Sequence, residues 1–490
     1  MVAVRQLAQT VGLNAAFLVL SRVVSAALSV LIIGVLTRVL GANTFGEWSL
    51  VIAYGTILHA CADWGLYSLL ARDIARPGAD EAALVRAYFW LRAAALGGVF
   101  GLGVAASLVL PFSSAVRSGL VIASFFFAFN SLSQILSAVF QKYLAMFWVG
   151  VAEVAGKLCF LGVILLAARR SGLAGVLAGL ALSGLVQFFI LRFAVRLFVV
   201  PTGRTSAGWL KRSLVESWPM AISIGLTLVY FKGDALLLGF FKPSYDVAIY
   251  GLAYSVLEHF IFFPAMFMGL MLPRLAQRLS ESRGAFRALL QQIFDLFFVA
   301  GVPIVVGLVF VADKIALLLG GPDFRASGGV MAVLGVAVAL IFFGNLFGSA
   351  VVVLGRQKSA LSAYLAGLVT MLVVDLALIP RYSYFGTAWG TVATEIVVTV
   401  FLARIVFQGA KVRLSLKRFA RSLPAVAVLA LVLAAARPLG LAALVALGTT
   451  SYLLSTWASG AIGPAELELF RLGRRSSAVP AGVPAPPVSP

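Results

Sequence analysis

The sequence predicts an all-α polytopic membrane protein of about fourteen transmembrane helices, arranged as two six-helix lobes followed by a C-terminal pair. Three observations support this. Hydrophobic residues make up 62% of the 490 positions and charged residues only 11%, with a mean hydropathy of +1.04; soluble domains carry about 25% charged residues. Residues 93–116, 118–141 and 326–355 contain no charged side chain, and each exceeds the roughly 20 residues that cross a 30 Å hydrocarbon layer. Lys and Arg also concentrate in every second gap between apolar runs, and because translocated loops are poor in these residues, the rich gaps and both termini are expected in the cytoplasm. The runs are continuous rather than alternating, so they are helices and not barrel strands.

The spans follow in order. The first, 13–37, has one early cation, Arg5, and no small-residue cleavage site after it, so it is expected to be retained. The second, 47–70, leads to the basic gap holding Arg72, Arg76 and Arg86. Spans 87–110 and 118–140 are separated by a gap whose only cation is Arg117, and Lys142 follows them. Spans 145–168 and 173–197 meet at Arg169 and Arg170 and lead to a basic stretch from Arg192 to Arg212. Spans 216–241 and 246–272 turn at Lys242, and Arg274, Arg278, Arg283 and Arg287 follow. Spans 289–312 and 327–354 precede Arg356 and Lys358, and spans 359–380 and 384–407 turn at Arg381. The last two, 422–437 and 440–459, are the shortest; read as one re-entrant hairpin, they would reduce the count to twelve.

The expected organisation is an N-terminal lobe over 1–200, a cytoplasmic linker over 201–215, a second lobe over 216–410, a helix pair over 411–463 and a Pro- and Ala-rich disordered tail over 464–490. A short internal repeat supports two lobes. The stretch from Gly41 to Leu50, containing Phe45-Gly46, matches that from Lys242 to Leu252, containing Tyr250-Gly251, in being a polar turn followed by a small residue, an aromatic and an apolar helix. Six spans separate the two, so the repeats share one orientation. Gly97 with Gly101 and Gly175 with Gly179 are expected to let helices approach closely. Pro264 and Pro303 are expected to kink their spans.

The formal charge of +20 is dispersed over loops rather than gathered in a domain, which suits anionic membrane lipids and argues against nucleic acid. Cys61 and Cys159 fall inside apolar runs, so neither a disulfide nor a metal site is expected. No phosphate-cradling Gly-rich loop or zinc-ligand spacing occurs, and no enzymatic activity or cofactor is expected.

Ionisable groups at bilayer depth cost a few kcal/mol or more, about 3 on insertion scales, and usually face a partner or a cavity. Lys157 lies near the middle of its span with Glu153 one turn earlier, either as a pair that locks two helices or as a midplane cation for an anionic substrate. Arg22 lies two turns into the first span, from which it either snorkels or offers a bidentate fork to a pyrophosphate. Arg92, nearer the edge, is expected to snorkel. Lys232 and Asp234 point in different directions on one helix, one to a cavity and the other to a neighbouring helix. Glu258 and His259 form either a buried pair or a proton relay. Asp63 is a further buried acid, and Asp375 and Glu395 are candidates for proton or sodium coupling. Asn130, Gln134, Gln187 and Asn345 are expected to bond helix to helix.

The order of Ser21-Arg22, Arg38-Val39-Leu40-Gly41, Phe45-Gly46-Glu47-Trp48, Ala62-Asp63-Trp64-Gly65 and Ala71-Arg72-Asp73-Ile74-Ala75-Arg76 resembles the polysaccharide flippase family. These are the O-antigen translocases of the multidrug/oligosaccharidyl-lipid/polysaccharide exporter superfamily. Lys232-Gly233-Asp234 with Ala248-Ile249-Tyr250-Gly251, and Leu319-Gly320-Gly321-Pro322-Asp323-Phe324, extend the resemblance over roughly residues 10–410. It implies a bacterial cytoplasmic-membrane protein that flips a polyprenyl-pyrophosphate-linked oligosaccharide by alternating access, working beside polysaccharide polymerase or glycosyltransferase machinery. It also implies a cationic cavity, to which Arg22, Lys157 and Lys232 correspond by position and type.

Three other readings compete. An exporter of small organic cations would use Asp63, Asp234, Asp375 and Glu395. A lipid II flippase is closer in chemistry, but its basic series in the first two spans is missing. A membrane glycosyltransferase or polymerase would need a large outward loop, and no outward gap exceeds about 15 residues, too little for a folded extramembrane domain.

Overall fold

The computed structural model describes residues 2–202, 225–226 and 229–460, and among them there is no strand. In chain order the helices are α1 (Val2–Asp63), α2 (Leu66–Ile74), α3 (Glu81–Ser107), α4 (Ser114–Lys142), α5 (Phe147–Ala194), α6 (229–241), α7 (Ser244–Glu281), α8 (Arg283–Gly320), α9 (Ala326–Val353), α10 (Gln357–Ala410), α11 (Lys417–Ala435) and α12 (Leu441–Ala458). Eleven helical stretches among the described residues are long and apolar enough to cross a membrane. Two of them, Leu20–Ile74 and Gln357–Ala410, contain 55 and 54 residues, about 80 Å of helix at 1.5 Å per residue and enough for two crossings each. The expected seventh span, 216–241, lies partly outside the described residues, as do most of the linker and the tail from 461.

The long helices break where the sequence places turns. α1 breaks at Gly41 (φ 69°), a conformation glycine adopts at no steric cost. α5 breaks at Gly172 and folds back on itself, so that a Cβ on Gly156 would lie 3.0 Å from the Ser183 carbonyl oxygen and one on Gly179 2.6 Å from Val163. α10 breaks at Ser383, whose φ of 48° is unusual for a residue with a side chain. The Ser383 hydroxyl donates to the Asp246 carboxylate and pins the turn to the start of α7. The second span is not continuous as expected, because Trp64 and Gly65 both take positive φ and α2 resumes at Leu66.

α9, apolar on all sides, is the most buried stretch and packs against α7, α8 and α10. α11 and α12 are 19 and 18 residues long and lie on the outside of α8, where the Tyr452 hydroxyl donates to the Val299 carbonyl at 2.8 Å. Gly97 and Gly101 do not serve close packing, since nothing lies within 4 Å of a Cβ built on either. Gly103, two residues beyond Gly101 and so on nearly the opposite side of the helix, is the residue of α3 that meets Leu58. The expected kink prolines, Pro264 and Pro303, lie inside α7 and α8.

The helices up to α5 meet those from α6 onward most tightly at the face poor in basic residues. The Thr37 hydroxyl and the Arg38 guanidinium donate to the Leu319 and Leu318 carbonyls, both at 2.8 Å. Phe45 meets Phe324 at 5.5 Å between ring centroids, and Phe112 meets Phe240 at 5.6 Å. The two similar segments of the internal repeat lie against each other here. Gly46 sits directly on the Ser244 backbone, and Gly251 sits on the Ser49 side chain. Below this seal, toward the basic face, a space separates the two groups of helices.

Candidate functional site

That space is a cavity of about 980 Å³ with three polar walls. The first is charged and is built from two helical stripes. Arg22, Ser25 and Ser29 of α1 and Glu153, Gly156 and Lys157 of α5 recur at three- and four-residue spacing and so share a face on each helix. The Glu153 carboxylate accepts from the Ser25 hydroxyl at 2.5 Å, from Arg22 Nη1 at 3.2 Å and from Lys157 Nζ at 3.2 Å. Lys157 Nζ also donates to the Ser25 carbonyl at 3.1 Å and to the Ser29 hydroxyl at 2.9 Å, and it touches the Ser25 hydroxyl. Lys157 is thus held by its surroundings. Arg22 gives Glu153 one of its five N–H donors, is 43% exposed and lies over the Phe262 ring at 5.9 Å, which leaves the rest of its fork to the cavity.

The second wall is the α7 stripe of Ser255, Glu258, His259 and Phe262. Lys232 Nζ pairs with Glu258 at 2.5 Å and stands 4.6 Å from the Tyr254 ring centroid, so it meets the cavity through that carboxylate. A relay between Glu258 and His259 is not formed. Glu258 turns to Lys232, while His259 Nδ1 bonds the Ser255 carbonyl at 2.8 Å. Adjacent residues on a helix do not face each other.

The third wall holds Asp63, Tyr67, Asn130, Ser133, Gln134 and Gln187. Behind it lies Arg92, which does not snorkel as expected: it is 0% exposed. Its guanidinium reaches the Asp63 carboxylate, the Ser131 hydroxyl, the Ala62 carbonyl at 3.2 Å and Gln134 at 3.4 Å. The helix that carries Arg92 starts at Glu81, which sets the residue three turns inside it.

The cavity is therefore not a ring of free cations. Three carboxylates, Asp63, Glu153 and Glu258, stand among four cations, Arg22, Lys157, Lys232 and Arg92, and every carboxylate is engaged. Arg22 is the cation with most of its donors uncommitted.

The remaining sequence candidates lie away from the cavity. Asp234 is buried against the Tyr250 hydroxyl at 2.5 Å and the Thr391 hydroxyl at 3.1 Å. Asp375 is 0% exposed, its carboxylate touches the Gly390 backbone, and neither of its oxygens has a hydrogen-bond partner among the described residues. Glu395 is buried one turn beyond Thr391, and its Oε1 is also unpartnered. No group of three or more His, Cys, Asp or Glu side chains suited to a metal occurs among the described residues, and both cysteines are free thiols.

A family model described as "Polysaccharide biosynthesis protein" matches residues 11–279. A protein of Shigella dysenteriae described as a candidate O-antigen transporter is 23% identical over 398 residues, covering 76% of this chain and 93% of that relative. Among solved structures, the inward closed conformation of the lipid II flippase MurJ superposes with a TM-score of 0.74 at 12% identity, covering 90% of this chain and 98% of the other. An inward-facing multidrug resistance MATE family transporter of the MOP superfamily gives 0.57 at 16% identity, covering 79% and 94%. With more than half its length matched, the chain belongs to the polysaccharide biosynthesis protein family, and it is a multi-pass membrane protein with the fold of transporters and flippases rather than of an enzyme.

Proposed function

We propose that the protein flips a polyprenyl-pyrophosphate-linked oligosaccharide from the inner to the outer leaflet of the bacterial cytoplasmic membrane. Helices up to α5 act as one lobe, α6 to α10 as the second, and α11 and α12 ride on the second. The observation that carries this reading is the Arg22–Glu153–Lys157 cluster on a cavity wall inside the bilayer region of a polysaccharide-family chain. A lipid-linked sugar has a head that cannot cross hydrocarbon and a tail that need never leave it, and a cleft between lobes serves both. The Arg22 fork matches one phosphate in bidentate fashion, and the neighbouring Lys157 adds a second positive charge. The Lys- and Arg-rich gaps support an open side that faces the cytoplasm together with both termini. The seal around Gly46 and Leu319 then closes the outer side, as in the inward-facing half of an alternating-access cycle.

A buried carboxylate without a partner must hold a proton or a cation, or be strongly destabilised. Asp375, beside the Asp234–Tyr250–Thr391 group, is accordingly the proposed coupling site for H+ or Na+. A second reading, export of small organic cations, is favoured by the three cavity carboxylates Asp63, Glu153 and Glu258.

Ligand-induced thermal stabilisation of the purified protein distinguishes the two. Polyprenyl pyrophosphate at 100 times its Kd is expected to add about 2.7 kcal/mol of stability, and an organic cation such as tetraphenylphosphonium none; the reverse pattern would favour the exporter. The same measurement should show stabilisation by sodium or by lower pH that Asp375→Asn removes. Unchanged ion dependence in that variant would remove Asp375 from the coupling role.

A further inference from the structure

We infer that the carboxamide wall of the cavity, formed by Asn130, Gln134 and Gln187, is a subsite for the uncharged sugar next to the pyrophosphate. The inference rests on the flippase reading of the cavity. Asn130 and Gln134 are one turn apart on α4, and Gln187 comes from the second half of α5; all three line the cavity.

The hydrogen bonds among them are long and run in one direction. Arg92 Nη2 donates to Gln134 Oε1 at 3.4 Å, Gln134 Nε2 to Asn130 Oδ1 at 3.5 Å, and Asn130 Nδ2 to Gln187 Oε1 at 3.5 Å. Arginine can only donate, so a buried Arg92 fixes which end of Gln134 faces it, and that choice propagates along the row. Amides that lock two helices together would sit in a dry interface at about 2.9 Å. Bonds at 3.5 Å lie at the weak limit, and the cavity side of each amide is left with donors and acceptors to offer.

This wall differs in chemistry from the one bearing Arg22. It presents neutral paired donors and acceptors, which suit sugar hydroxyls and acetamido groups and have little to offer a phosphate. Phe126, also on the lining, supplies an apolar face for the C–H side of a sugar ring. Both walls lie at similar depth. Lys157 is about 15 Å along its helix from Phe147, and Gln134 is about 12 Å from Lys142, at 1.5 Å per residue. A head group can therefore place its pyrophosphate on one wall and its first sugar on the other.

The test compares binding of bare polyprenyl pyrophosphate with that of the same lipid carrying a single hexose or a single N-acetylhexosamine. Wild-type protein should bind at least one sugar-bearing lipid about tenfold more tightly than the bare one. The Asn130→Ala/Gln187→Ala variant should lose that preference while its affinity for the bare lipid stays within twofold. Should the double variant fail to fold, Gln187→Leu alone, which leaves the row from Arg92 to Asn130 intact, should reduce the preference about threefold. A wild-type protein with no sugar preference, or variants that lose both lipids equally, would overturn the subsite. Failure of the wild type to bind even the bare lipid would instead sink the flippase reading itself.

Discussion

Arg22→Ala combined with Lys157→Ala will slow flipping of a pyrophosphate-linked oligosaccharide by 100-fold or more, while leaving membrane insertion intact. The reason is a change of sign. In the wild type, Glu153 is outnumbered by Arg22 at 3.2 Å and Lys157 at 3.2 Å. Without both cations it remains as a carboxylate on the wall that should hold the pyrophosphate, with only the Ser25 hydroxyl to bind it. Unit charges about 4 Å apart interact by roughly 4 kcal/mol at an effective dielectric of 20, so a 100-fold effect, about 2.8 kcal/mol, lies within that range. The single variants should each cost less than half of this in free energy, because the surviving cation still neutralises Glu153 and the two sites share one partner. The rate is read from the accessibility of a fluorescent lipid-linked oligosaccharide in proteoliposomes, normalised to inserted protein. A double variant that flips at the wild-type rate would remove the cluster from substrate binding.

Asp63→Ala will have the largest effect on stability. Arg92 is wholly buried, and Asp63 is its sole carboxylate partner among the described residues. Removing one member of a buried ion pair leaves an uncompensated charge and typically costs about 3–5 kcal/mol, a large part of the roughly 5–15 kcal/mol that stabilises a typical protein. The expected result is a sharp loss of detergent-solubilised protein and a lowered Tm. Asp63→Ala/Arg92→Met should recover most of the loss, because replacing both partners removes the stranded charge. If the double variant is as unstable as Asp63→Ala, packing around Asp63 rather than charge carries the effect.

Much of the fold was legible because a bilayer demands long apolar runs and leaves its topological record in the gaps between them. The turns at Gly41, Gly172 and Ser383 fall where short polar breaks interrupt that record. The Trp64–Gly65 break was not visible, since Asp63 is the one charged residue close before it and the helix resumes directly after it with Leu66. The candidate site was legible where the pairing is local. Glu153 and Lys157 are one turn apart, and the ion pair between them is present. Partners distant in sequence were not legible. Arg22 reaches Glu153 across 131 positions and Arg92 reaches Asp63 across 29, and nothing in either stretch marks its partner. Lys232 and Glu258, 26 positions apart, form one pair that their separate spans do not announce. The amides of α4 do carry a signal in the sequence. Asn130, Ser133, Gln134 and Ser137 form a polar stripe of helical period in an otherwise apolar span, a pattern that points to a cavity more than to one helix contact.

The most direct test of the central claim is flipping by the purified chain in proteoliposomes. Polyprenyl-pyrophosphate-linked oligosaccharides, labelled on the sugar and loaded in the inner leaflet, should become accessible to a membrane-impermeant quencher in wild-type vesicles well above the rate in protein-free ones. The same vesicles should not accumulate or extrude small organic cations. Cation transport without lipid-linked sugar flipping would contradict the account and assign the cavity to its acids instead.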